Sequence, residues 1–180
     1  MVSVSWLYGP DIKFRNVVAK HLLERWSLGV FHTIQSGAPL NFAMGTDVAL
    51  NGTGQAQRAQ LVNGATYADI ILDHPDRNAA IQQFFNTAVF VSPTVLPRGV
   101  YDSIGRNIIN GPAANRTDFS LMKDIAIREK LRLQFRSEFF NAFNQVTLSA
   151  PNTSASAANF GRITGASSGR EVQLALKLLW

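Results

Sequence analysis

Apolar and polar residues alternate with period two in five separate stretches of this chain. The clearest is residues 171–180. There Val172, Leu174, Leu176, Leu178 and Trp180 fall on one face of an extended chain, and Gln173, Ala175, Lys177 and Leu179 on the other. Residues 130–141 behave the same way. Leu131, Leu133, Phe135, Ser137 and Phe139 alternate with Arg132, Gln134, Arg136 and Glu138. Residues 117–126 set Phe119, Leu121 and Ile125 against Asp118, Ser120, Met122 and Asp124, with Lys123 interrupting the apolar side. A long lysine stem there is expected to snorkel to an interface. Residues 26–36 and 2–8 complete the set, the latter ending in Trp6 and Tyr8 before Gly9-Pro10 breaks the run. The pattern predicts five strands.

The connections between them differ sharply in length. Residues 11–25 form a modest link, in which 17–23 has room for about two helical turns with Val18 and Leu22 on one side. Arg128-Glu-Lys130 is a tight charged turn. By contrast, 43–116 and 142–170 read as long loops rich in Gly, Asn, Ala, Ser and Pro, with at most a short helix near 77–85. A structureless loop of that length is foreign to a compact soluble domain. It is ordinary on the outer side of a large membrane barrel, where short turns face the periplasm and long loops face outward. If the C-terminus lies on the periplasmic side, the 11–25 link and the 128–130 turn lie there too, and both long loops face out. The expected fold is therefore all-β: a fragment of an antiparallel transmembrane β-barrel of about five strands. A small soluble β-sandwich that binds carbohydrate or protein is the alternative, although it needs about seven short strands with regular turns.

Composition supports the membrane setting. Apolar residues make up 46% and charged residues 16%, below the ~25% charged share usual in soluble domains. No apolar run approaches the ~18 residues of a transmembrane helix, whereas about 9–11 residues suffice for a tilted strand. The net charge of +5 is scattered, without the basic stripe a nucleic-acid partner would need. There are no cysteines, hence no disulfide framework and no thiolate chemistry. The N-terminal residues lack the features of a secretory leader and already read as a strand, so the chain is expected to be part of something longer.

Candidate chemistry is sparse. His32 has no metal-ligand spacing to His21 or His74 and reads as a wall residue. Asn51-Gly-Thr-Gly54 reads as a turn, since no Lys-Ser/Thr follows to make it a phosphate loop. The charged positions Arg132, Gln134, Arg136, Glu138 and Lys177 contain no nucleophile–base pair and no spaced carboxylate pair. They read as a polar, salt-bridged lumen wall, with no cofactor, no metal and no enzyme activity expected. Asn141 and Asn144 are expected to bond loop backbone.

Six stretches, in order, carry a resemblance to a known family. Arg25-Trp-Ser-Leu-Gly-Val-Phe-His-Thr-Ile-Gln-Ser-Gly-Ala-Pro-Leu40, Phe84-Phe-Asn-Thr-Ala-Val-Phe90 and Gly105-Arg-Asn-Ile-Ile-Asn-Gly-Pro112 are the first three. Asp118-Phe-Ser-Leu-Met-Lys123, Leu131-Arg-Leu-Gln-Phe-Arg-Ser-Glu-Phe-Phe-Asn-Ala-Phe-Asn144 and Phe160-Gly-Arg-Ile-Thr164, with the final strand, complete them. Together they resemble the C-terminal barrel portion of TonB-dependent outer-membrane receptors that carry a carboxypeptidase-regulatory-like domain, as in Acidobacteria. Such receptors are similar to barrels of about 22 strands closed by a plug. The resemblance implies a cell outer membrane location. It also implies that the last strand, with Leu174, Leu176, Leu178 and Trp180, is the signal read by the barrel-assembly machinery through strand addition. The partners it implies are outer-membrane lipid, that machinery, and the plug and remaining strands of the receptor. TonB would act only through the full-length receptor. Five strands alone would leave two unpaired edges, so an isolated chain is expected to be inactive.

Overall fold

A computed structural model describes residues 1–10, 12–52, 57–99, 104–128 and 131–180. The five expected strands are present. They are β1 (Val2–Tyr8), β2 (Trp26–Gln35), β5 (Ala114–Ala126), β6 (Arg132–Phe140) and β7 (Glu171–Leu179). They form one antiparallel sheet in the order β1-β2-β5-β6-β7. Strand β5 begins at Ala114, earlier than the alternation at 117 indicates, because Ala114, Asn115 and Arg116 continue the ladder opposite Gln35, Ile34 and Thr33. Trp180 lies one residue beyond β7. Glu129 and Lys130 of the expected tight turn lie outside the described residues. The turn closes where the Arg128 N–H donates to the Leu131 carbonyl at 3.1 Å and the Leu131 N–H returns to Arg128 at 3.2 Å.

The register makes every strand agree about its faces. Trp6 pairs with Val30, Val30 with Phe119, Phe119 with Phe139 and Phe139 with Val172. Successive side chains alternate across a strand, so one apolar row runs through the sheet. The neighbouring row, Ser5, Phe31, Asp118, lies on the opposite face. A one-residue slip of any strand would exchange its faces.

The link between β1 and β2 contains helix α1 (Val17–Leu23). Its N-cap is Asn16, whose side-chain oxygen accepts the Val18 and Ala19 N–H groups at 2.9 and 3.3 Å.

The two long connections are compactly folded loops. Ser36–Ala113 and Leu148–Ser167 fold into a second compact unit. It contains the two-residue strands β3 (Pro39–Leu40) and β4 (Ile109–Asn110), which pair antiparallel, and helix α2 (Arg77–Gln82), capped by Asp76. Its core is aromatic. Phe85 is fully buried and lies edge-on to Phe42 at 4.8 Å and to Phe160 at 5.1 Å. Phe90 closes the cluster against Phe42 and Phe160 at 4.8 and 5.2 Å. Backbone bonds join the two segments: Phe84 N–H to the Gly161 carbonyl at 2.8 Å and Ile163 N–H to Ile81 at 2.9 Å. At the stem, a Cβ on Gly37 would stand 1.7 Å from the Gly111 carbonyl oxygen, so only glycine lets the two chains approach there. The long connections expected at 43–116 and 142–170 are present, and they pack together. Their burial comes from aromatic residues in turns, which leave no period in the sequence.

Candidate functional site: the two faces of one sheet

The apolar face of the sheet is wide and uncovered. Along β7, Leu174 is 66% exposed and Leu176 67%, and Trp180 beyond it is 91% exposed. On β1, Val2, Val4, Trp6 and Tyr8 are exposed as well, with Trp6 stacked on Tyr8 at 5.4 Å. In water, each large apolar side chain left this way forgoes about 1.5–3 kcal/mol of burial. A continuous face of them is a contact surface, not a chance exposure.

Four polar residues on this face, His32, Thr117, Ser137 and Lys123, are bonded internally or buried. His32 meets the Thr117 hydroxyl through Nδ1 at 2.8 Å. Ser137 is buried between its neighbours. Lys123 is buried rather than snorkelled outward: its Nζ donates to the Glu24 carbonyl and lies over the Trp26 ring at 5.3 Å from the centroid. A backbone carbonyl at the strand end and an aromatic face take the place of water around the ammonium.

The polar face gathers the residues named from the sequence. Gln134 pairs with Lys177, Arg136 with Ala175, Glu138 with Gln173 and Arg132 with Leu179. Arg136 and Glu138 form a salt bridge at 2.5 Å, and Gln134 donates to the Asp124 carboxylate at 2.9 Å. Arg116 pairs with Asp118 at 2.8 Å while its guanidinium lies 5.9 Å from the Phe140 ring. Between these groups, above Gly29, is an open cleft of about 320 Å³ bordered by Ser5, Gly29, Asp118, Ser120, Arg136 and Glu138. Where β6 ends, Asn141 and Asn144 bond backbone. Asn141 exchanges two bonds with Gln145, and Asn144 Oδ1 accepts the Arg170 N–H at 3.1 Å.

The histidines do not converge. His21 Nδ1 donates to Val17 O at 2.9 Å and His74 Nε2 to Phe84 O at 3.0 Å. Among the described residues no cluster of three acidic, His or Cys side chains is placed to hold a metal. In the second unit, Asn51 and Gly52 form a bend whose N–H groups donate to Asp47 at 3.2 and 2.8 Å. Thr53 and Gly54 of that turn lie outside the described residues. Gln57, buried, also donates to Asp47, and its Oε1 accepts the Val48 N–H at 3.0 Å. The Asp47 carboxyl is held below its usual range: desolvation, the largest single effect, opposes this, and the donors from Gly52, Asn51, Gln57 and Leu50 together outweigh it. This lock was not read from the sequence. The Asn-Gly turn marked its position, but Asp47 and Gln57 lie in stretches without any pattern.

Among the described residues no helix is long and apolar enough to cross a membrane, which says nothing of strands. Residues 2–173 match the family described as outer membrane beta barrel domain. The chain belongs to that family. No curated protein and no solved structure matches it. As an outer membrane beta barrel domain, it is placed in the outer membrane, and its sheet is a wall of antiparallel strands left open rather than closed into a barrel.

Proposed function

We propose that this outer membrane beta barrel domain is the C-terminal part of the barrel of a TonB-dependent receptor, of the type with a carboxypeptidase-regulatory-like domain. The observation that carries the reading is the asymmetry of the two sheet ends. Gln35, Ala114, Phe140 and Glu171 flank the two long connections at one end, while Tyr8, Trp26, Ala126, Arg132 and Leu179 flank the short connections and the C-terminus at the other. Outer-membrane barrels keep short turns on the periplasmic side and longer loops outside.

In this reading the apolar face meets lipid, and Tyr8, Trp26 and Trp180 mark its periplasmic rim. Arg132, Gln134, Arg136, Glu138 and Lys177 line the lumen. Leu174, Leu176, Leu178 and Trp180 form the strand offered to the barrel-assembly machinery, whose own edge pairs with the outer edge of β7. The strands that complete the barrel, the plug, and TonB acting through them are the remaining partners. The role is transport by the assembled receptor, without enzymatic chemistry. Four of the polar-face charges are engaged in the Arg136–Glu138 and Arg116–Asp118 pairs, which suits a wetted wall better than a reaction centre.

The test is an immunoblot of fractionated membranes with an antibody raised against residues 57–99. A band several times larger than 19.7 kDa in the outer membrane is expected. A folded, soluble band at 19.7 kDa would overturn the receptor reading.

A further inference from the structure

Helix α1 buries none of its residues. At about 100° per residue, Val18, Leu22, Ala19 and Leu23 share one side, and Val17, Lys20 and His21 lie on the other. In a soluble protein the apolar stripe packs inward and the polar side faces solvent. Here Lys20 and His21, themselves exposed, border a cleft of about 180 Å³ together with Glu24, Asp124 and Ala126. The apolar side is left outside: Val18 is 65% exposed, Leu22 62% and Leu23 54%.

The helix is tied to the rim of the apolar sheet face. Trp26, the first residue of β2 on that face, donates its indole Nε1–H to the Leu22 carbonyl at 2.8 Å. Lys123, on the same face, lies over the Trp26 ring and bonds the Glu24 carbonyl. The outward apolar side of α1 is therefore continuous with the face that an outer-membrane barrel turns to lipid. A seven-residue helix is too short to be stable by itself, and these two ties at its C-terminal end hold it in place.

Basic residues outnumber acidic ones in this link, four against Asp11 and Glu24. Lys13, Arg15, Lys20 and Arg25 flank or belong to the helix. The carboxylate of Glu24 is turned inward, where it accepts the Phe14 N–H at 2.7 Å. An apolar stripe rimmed by cations is the signature of an element lying in the headgroup–acyl boundary, where basic residues are drawn to anionic headgroups.

We propose that α1 is an interfacial anchor. Val18, Leu22 and Leu23 insert at the acyl boundary of the phospholipid leaflet at the short-connection end of the sheet, and Arg15 contacts anionic headgroups. This rests on the outer-membrane placement of the chain and not on the receptor reading.

The chain has no cysteine, so single environment-sensitive fluorophores can be placed by Val18→Cys, Leu22→Cys and Lys20→Cys. The protein is purified from the outer membrane and reconstituted into phosphatidylethanolamine–phosphatidylglycerol vesicles containing nitroxide-labelled phospholipid. Probes at 18 and 22 are expected to be quenched by the lipid nitroxide at least threefold more than the probe at 20. In vesicles without phosphatidylglycerol that quenching is expected to fall about twofold. Equal quenching of all three positions by aqueous iodide would overturn the anchor. So would probes at 18 and 22 shielded from both quenchers, since another part of a protein would then cover the stripe. Quenching unchanged by removal of the anionic lipid would overturn the headgroup contact.

Discussion

The Asn141 backbone N–H donates to the Asp118 carboxylate at 2.7 Å, closing the end of β6 onto β5. Asn141 holds a left-handed φ of +52°, and its side chain exchanges bonds with Gln145, Nδ2 to the carbonyl at 2.9 Å and Oδ1 from the N–H at 2.8 Å. Asn141→Ala loses these two bonds and the longer one from Nδ2 to the Ser168 carbonyl at 3.4 Å, and keeps a Cβ in the left-handed region. The expected loss is about 2–4 kcal/mol. Asn141→Gly removes the bonds but relieves the backbone, so it should lose clearly less. Urea titrations of the two variants in the outer membrane, read by protease resistance, separate the contributions. Equal losses would mean that the backbone conformation contributes nothing.

Phe85 sits fully buried among Phe42, Phe90 and Phe160, the last of these brought in by the second long connection. Phe85→Ala should cost the second unit about 3–5 kcal/mol. The strands of the sheet do not depend on this core, so whole-cell proteolysis should reveal new cuts within 57–99 and leave β6 and β7 protected. Loss of the entire chain from the membrane would show instead that the two units fold as one.

The strands were legible in the sequence and the second unit was not, for one physical reason. A wall with an apolar and a polar side writes a period of two into each strand, and that pattern located β1, β2, β6 and β7 within a residue or two. The second unit buries Phe42, Ile70, Phe85, Phe90 and Phe160 from turns and short 3-10 segments, in which spacing carries no face. Its stretches were nevertheless visible as resemblance. Phe84-Phe-Asn86 and Phe160-Gly161 meet in one aromatic core, and the Gly105 N–H donates to the Tyr67 hydroxyl at 3.0 Å. The placement of Lys123 was missed because its partner is a backbone carbonyl, which no side-chain pattern announces.

Acid should loosen one corner of the second unit. The Asp69 carboxylate accepts the Thr66 N–H and hydroxyl, both at 2.7 Å, and these donors hold its carboxyl below the usual carboxylate range. A depressed folded-state value means that the stabilisation is present above the ordinary value of about 4. It is lost as the pH falls through the depressed one. Hydrogen exchange at the Thr66 amide should therefore be slow at neutral pH and accelerate in strong acid. In Asp69→Asn the amide should exchange faster at neutral pH, without the acid-dependent step. Protection that persists unchanged in both would sink this account.

Leu176 and Ala175 are neighbours in β7 on opposite faces, opposite Phe135 and Arg136 of β6. An arginine on the lipid side of a barrel strand costs about 2–4 kcal/mol near the bilayer midplane, while lumen positions tolerate charge. Leu176→Arg should therefore reduce the assembled outer-membrane protein severalfold, and Ala175→Arg should leave it near the unsubstituted level. The same guanidinium is introduced one residue apart, so strand propensity and net charge are matched and only the face differs. Quantifying heat-modifiable protein in outer-membrane fractions reads the outcome directly. If both variants assemble equally well, the apolar face of β7 does not meet lipid. If Ala175→Arg is the one that fails, the faces are reversed, and Arg136 and Glu138 would then have to lie toward the bilayer as a buried ion pair.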